Sequence, residues 1–155
     1  MALEIVLLAD RPGLIPTVAE WVFGEWGSDW PGKTLEDVLA DTLAYARRGS
    51  LPLALVACDG AECLGTAALR EHSEGFPREL TPWLVRVYVP ASARGRGVGG
   101  ALVRVAEAQA RALGAPRLYL CTTDRQSFYG RLGWSEDGDG TYHGQAVTLM
   151  SRALA

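Results

Sequence analysis

The chain has 155 residues, 48% of them hydrophobic and 21% charged, which is enough to bury a core as one domain over residues 1–155. Its net charge of −3, its single lysine and the lack of any known nucleic-acid-binding motif argue against a nucleic-acid partner. No apolar run approaches the ~18 residues that span a bilayer, and the opening MALEIVLLAD carries Glu4 without a basic leader, so a cytoplasmic protein with no membrane partner is expected.

The first apolar run, Leu3 to Leu8, predicts a strand. Leu14, Val18, Trp21, Val22 and Trp26 then recur at helical spacing, which predicts a helix whose tryptophans belong to the core. TLEDVLADTLAYARRG predicts a second amphipathic helix, with Thr34 as N-cap and Asp37 in its first turn. LPLALVAC and AECLGTAALRE flank Asp59-Gly60, a strong signal for a hairpin with a tight turn. PWLVRVYV is another strand and leads into a glycine-rich loop. The helix that follows is expected to bury Val98, Ala101, Leu102, Val105, Ala112 and Leu113, and to end at Gly114 ahead of Pro116. RLYLCTT reads as a strand, DRQSFYGRLG as a short helix ending near Gly133, and QAVTLMSRAL as a last strand. The order predicts one α/β domain with a largely antiparallel start, since the hairpin fixes at least one antiparallel pair. Cys58, Cys63 and Cys121 have no C-x-x-C spacing and read as small core residues, so neither a disulfide framework nor a metal site is expected.

Charge is unevenly distributed. Residues 1–82 hold 6 basic and 13 acidic side chains, whereas residues 83–131 hold eight arginines against only Glu107 and Asp124. Part of this cationic island fits a solvated helix face, with Glu107 and Arg111 as an i,i+4 pair. Arg86, Arg94 and Arg96 are left over. The segment VYVPASARGRGVGGALV places Gly95, Gly97, Gly99 and Gly100 between a strand and a helix start, beside two of those arginines. Amides at a helix start lack intrahelical partners and sit at the positive end of the dipole, so such a turn suits a phosphate. GRGVGG also satisfies the dinucleotide fingerprint. Pro90 to Arg94 separate it from its strand, however, and too little chain follows for that fold; no G-K-[ST] of a nucleoside triphosphate loop occurs.

VYVPASARGRGVGGALV resembles the acetyl-CoA signature of the GNAT superfamily of N-acetyltransferases, with Arg94, Gly97 and Gly99 at its named positions. FYGRLGW, Phe128 to Trp134, resembles that superfamily's second signature, and the order of elements over residues 3 to 154 agrees with its fold. The resemblance implies a GNAT-like acyl-CoA N-acyltransferase fold, α/β (α+β) with a single mixed, largely antiparallel sheet flanked by helices, with acetyl-CoA as acetyl-donor cosubstrate and no metal. Val87, Tyr88 and Val89 would pair with the pantetheine arm. Arg94, Gly95, Arg96, Gly97, Val98, Gly99 and Gly100 would hold the pyrophosphate. Asp124, Thr122 or Gln126 would replace an asparagine of many relatives.

The implied chemistry is direct attack of a neutral amine on the thioester, with Tyr129 as general acid and cofactor contact, and a backbone N–H near Val87 to Val89 facing the carbonyl oxygen. Cys121 stands where some relatives carry a glutamate. The base is therefore open between Glu71, His72, Glu79 and water. Glu25, Asp29, Glu36, Asp37 and Asp41 in the acidic N-terminal half favour a cationic acceptor by steering, although solvated helix faces would look the same. The acceptor's identity stays open between small molecules and peptide or protein amines, a homodimer is compatible with the sequence, and the alternative to an enzyme is a non-catalytic acyl-CoA-binding module.

Overall fold

Turn chemistry and apolar periodicity divide the chain into β1 (Glu4–Leu7), α1 (Ile15–Trp26), α2 (Leu35–Ala44), β2 (Leu53–Asp59), β3 (Glu62–Arg70), β4 (Trp83–Tyr88), α3 (Val98–Ala112), β5 (Arg117–Thr122), α4 (Gln126–Arg131), β6 (Ser135–Tyr142) and β7 (Gln145–Ala153). The computed structural model describes residues 2–154. The strands form one sheet in the order β1-β2-β3-β4-β5-β7-β6. All neighbours pair antiparallel except β4 and β5, which run parallel and meet at a single register point, Trp83 opposite Tyr119.

Local chemistry explains most boundaries. Thr34 caps α2 with Asp37 in its first turn, as the sequence predicts, and the Asp37 side chain accepts in return from the Thr34 amide to close a capping box. The hairpin turn lies one residue later than expected: Asp59 pairs with Glu62, leaving Gly60-Ala61 as the loop, with Gly60 at φ +61°. After α3, Gly114 takes φ +88°, and its N–H and that of Ala115 return to Arg111 and Ala110. Gly133 ends α4 in the same way, at φ +95°.

Two apolar layers sandwich the sheet. On one face α3 and α4 pack Val98, Leu102, Ala106 and Tyr129 over Leu55, Leu69 and Leu120; on the other, α1 and α2 pack Val18, Val22 and Val38 over Val56 and Ala68. Cys58 is buried, and Cys63 and Cys121 are half-buried free thiols. Among the described residues, no helix is long and apolar enough to cross a membrane, and no group of His, Cys, Asp or Glu has the arrangement of a metal site.

Three expectations need correction. β6, SEDGDGTY, was not predicted; it has no alternating apolar pattern because it is an exposed edge strand paired only with β7. The buried face of α3 is Val98, Leu102, Val103, Ala106, Glu107 and Ala110, so Ala112 and Leu113 lie outside it and Ala101 and Val105 at its margin. Glu107 is not on a solvated face with Arg111. It accepts hydrogen bonds from Trp134 Nε1 at 3.1 Å and Arg152 Nε at 3.0 Å, and is also reached by Arg104 at 3.3 Å. Arg111 donates instead to the Leu154 carbonyl at 2.6 Å.

Candidate active site

A cleft of about 610 Å³ opens where β4 and β5 part. Strand β4 leaves its regular register between the pairs Ala68–Val85 and Thr66–Tyr88, and Arg86 at the irregularity has φ +56°. Such a bulge bends a strand and increases its twist. Beyond it, Val87, Tyr88 and Val89 line the cleft on one side and Leu120 to Arg125 on the other.

The glycine-rich turn closes one end. Gly95 and Gly97 take φ +80° and +78°, conformations that side-chain-bearing residues rarely adopt, and Gly97 is the N-cap of α3. Among the described residues, the backbone amides from Gly95 to Gly100 donate no hydrogen bond within the protein. They offer a row of free donors at the positive end of a 15-residue helix. At Gly99 a Cβ would stand 3.3 Å from Phe128 Cζ and 3.7 Å from Val89 Cγ2, so this glycine lets α3 approach α4 and β4 closely.

The predicted residues divide clearly. Val87, Tyr88, Val89, Arg94, Gly95, Gly97, Val98, Gly99, Gly100, Asp124 and Tyr129 all line the one cleft; Arg96 does not. Arg94 is steadied by donation from its Nε to the Val89 carbonyl at 3.0 Å, whereas Arg96 reaches back to the Ser92 carbonyl at 3.2 Å. Thr122 caps the next turn by accepting from the Arg125 amide at 3.0 Å, and Gln126 donates to Thr148 Oγ1 at 3.0 Å. Asp124 is exposed and accepts from Thr123 Oγ1 at 3.3 Å.

Tyr129 lies in α4, 8% exposed, packed edge-on against Phe128 and Trp134. Burial pushes its phenol up to about 12, with Arg125 opposing and Cys121 adding to the shift. At neutral pH it therefore keeps its proton. Burial likewise pushes the Cys121 thiol up to about 11, so this residue in the cleft wall is neither thiolate nor base. Glu71, His72 and Glu79 lie off the cleft.

Other lining residues escaped sequence reasoning. Trp26 and Trp30 line the cleft rather than the core alone, and Trp21 and Trp26 pack on Tyr88 at 5.6 and 6.4 Å. Of the acidic residues that the sequence offers for steering, Glu25 and Asp29 line the cleft and Glu36, Asp37 and Asp41 do not. Arg70, Arg86, Arg125, Arg131 and Tyr142 complete the charged and phenolic lining. The excess of arginine between residues 83 and 131 was the available signal for Arg125 and Arg131; Arg70 and Tyr142 arrive from β3 and β6, far away in the chain.

A model of the family described as "Acetyltransferase (GNAT) family" matches residues 15–134. An aminoglycoside 6'-N-acetyltransferase crystallised with coenzyme A superposes with a TM-score of 0.74 at 16% identity, over 100% of this chain and 98% of that one. A Salmonella typhimurium protein, yncA, solved with its cofactor acetyl-CoA, gives 0.73 at 20% identity over 100% and 95%. An acetyltransferase from Thermus thermophilus gives 0.69 at 22% identity over 99% and 97%. At these identities the likeness establishes the fold alone. No curated protein sequence matches the chain.

Proposed function

The chain belongs to the GNAT family of acetyltransferases, and we propose that it works as one domain that moves the acetyl group of acetyl-CoA to a primary amine at this cleft. The observation that carries the reading is a coincidence of place: the unpaired amides of the glycine turn, the parted edges of β4 and β5, and protonated Tyr129 all face the same space. The residues fit the cosubstrate. The Gly95 to Gly100 amides suit its pyrophosphate, Arg94, Arg125 and Arg131 add positive charge, and the released edge of Val87-Tyr88-Val89 suits the amides of its pantetheine arm.

Bound acetyl-CoA would supply the thioester and its acetyl group. Tyr129 holds a proton on its Oη for the departing sulfur, and its high pKa prevents early loss of that proton. A backbone N–H between Val87 and Val89 faces the carbonyl oxygen as charge gathers there. With Glu71, His72 and Glu79 off the cleft, water carries the amine proton away, with Glu25 or Asp29 as its first carboxylate.

Calorimetric titration with acetyl-CoA, followed by a screen of amines that detects free thiol, tests the proposal. One acetyl-CoA per chain and turnover of at least one amine are expected. Absence of binding would remove the cleft as the cosubstrate site.

A further inference from the structure

Two arginines in the cleft lie apart from the glycine turn. Arg70 ends β3, and Arg86 occupies the irregularity of β4. Ala68, two residues before Arg70, packs into the layer made by α1 and α2. Arg86 stands 4.6 Å over the Tyr45 ring and 5.8 Å from that of Trp30, both in that same layer. α3 and its turn occupy the opposite face of the sheet. These guanidiniums therefore sit on the far side of the sheet from the proposed phosphate site.

The two share an environment. Arg70 Nη2 donates to Tyr142 Oη at 3.3 Å, and burial of Arg70 is outweighed by Tyr45 and Tyr142, which raise its pKa; burial lowers that of Arg86, with Tyr45 opposing and the charge of Arg70 adding to the fall. Among the described residues, neither has a carboxylate within 4.0 Å. Asp41, whose charge reaches Arg86, is paired with Lys33 at 2.6 Å. The Nε atoms of both arginines are sealed from solvent without a hydrogen-bond partner. Stacking on Tyr45 engages the face of a guanidinium and leaves its in-plane N–H groups unused. Two half-buried like charges in one cleft with no carboxylate beside them favour an anion there.

We propose that Arg70 and Arg86 bind a carboxylate on the acceptor, so that the acetylated amine belongs to an amino acid or an amino-acid-like molecule. The planar forks of two arginines match a carboxylate. Glu25 and Asp29 line the same cleft and complement the ammonium end, and Trp26 and Trp30 offer apolar walls to the body between. The acceptor is thus zwitterionic rather than simply cationic. This assignment rests on the transferase reading above.

The test compares each of the common amino acids with its carboxamide as acceptor, by thiol release, and titrates the matching N-acetyl amino acids into protein saturated with CoA. At least one acid is expected to exceed its amide in kcat/KM by about 30-fold or more, the lower range for removing one partner of a buried charge pair. Arg70→Gln and Arg86→Gln should each erase that preference while leaving acetyl-CoA affinity near the parent's, which also shows that the variants fold. Equal use of acids and amides, or an intact preference in both variants, overturns the proposal. If acetyl-CoA binds and no amine turns over, the transferase reading fails. The anion site is then judged by calorimetry alone, and failure of every N-acetyl amino acid to bind overturns it.

Discussion

Replacing Tyr129 by phenylalanine keeps the ring against Phe128 and Trp134 and deletes the one proton it holds. If that proton goes to the departing sulfur, kcat falls about 10²- to 10⁴-fold with acetyl-CoA affinity near the parent's. Unchanged kcat would assign the acid elsewhere and leave Tyr129 a packing residue. The same phenol predicts a pH effect on stability. Its folded pKa is raised to about 12 by burial, so its contribution is fully present below the unfolded value near 10 and is lost as pH rises toward 12. The loss is on the order of 3 kcal/mol when complete. Urea unfolding at pH 9 and 11.5 should therefore weaken the parent more than Tyr129→Phe; equal losses would contradict the buried phenol. The two arginines of the glycine turn separate as well. Arg94 lines the cleft and Arg96 does not, so Arg94→Ala should cost acetyl-CoA binding about 1 to 3 kcal/mol and Arg96→Ala less than about 0.5 kcal/mol by calorimetry. The motif could not distinguish them, because each arginine's direction is set by the carbonyl it meets, Val89 or Ser92.

At the scale of elements, the start of α3 carries the cosubstrate reading. Gly99→Glu would place a side chain against Phe128 and Val89 and a negative charge beside the free amides. Acetyl-CoA affinity is expected to fall by about 100-fold or more, as for an uncompensated charge in a binding site, and calorimetry showing parent affinity would move the pyrophosphate away from this turn. The glycine turn was legible because its chemistry is local: positive φ at Gly95 and Gly97 and free amides at a helix start need only neighbours in sequence. The Thr34 cap of α2 and the glycine stops of α3 and α4 were legible for the same reason. β6 was not, since SEDGDGTY becomes a strand only through the partner β7 supplies. Nor were the wall tryptophans, because helical spacing places Trp26 beside the core without saying that the sheet is split opposite it, and Trp30 lies past the end of α1.

For the whole molecule, opening the sheet between β4 and β5 creates the cleft and also weakens the join, which there rests on Trp83 opposite Tyr119. Other ties must span the two halves. Glu107 is one: from α3, which packs against β2, β3 and β4, it bonds Trp134 ahead of β6 and Arg152 on β7. Those partners lie 27 and 45 positions along the chain, so periodicity within VGGALVRVAEAQARA had only the neighbouring arginines to offer and turned this carboxylate toward solvent. The two placements predict different variants. On a solvated face, Glu107→Ala would change stability by less than about 0.5 kcal/mol. As a buried acceptor whose loss strands an indole N–H and a half-buried guanidinium, it should cost about 3 to 5 kcal/mol in urea unfolding. Glu107→Gln keeps the volume and an oxygen for one of the two donors, so about 1 to 3 kcal/mol is expected. A graded loss, alanine worse than glutamine, identifies the carboxylate as a tie between α3 and the β5–β7 half; two near-neutral variants would return it to the surface and leave the join to apolar packing alone.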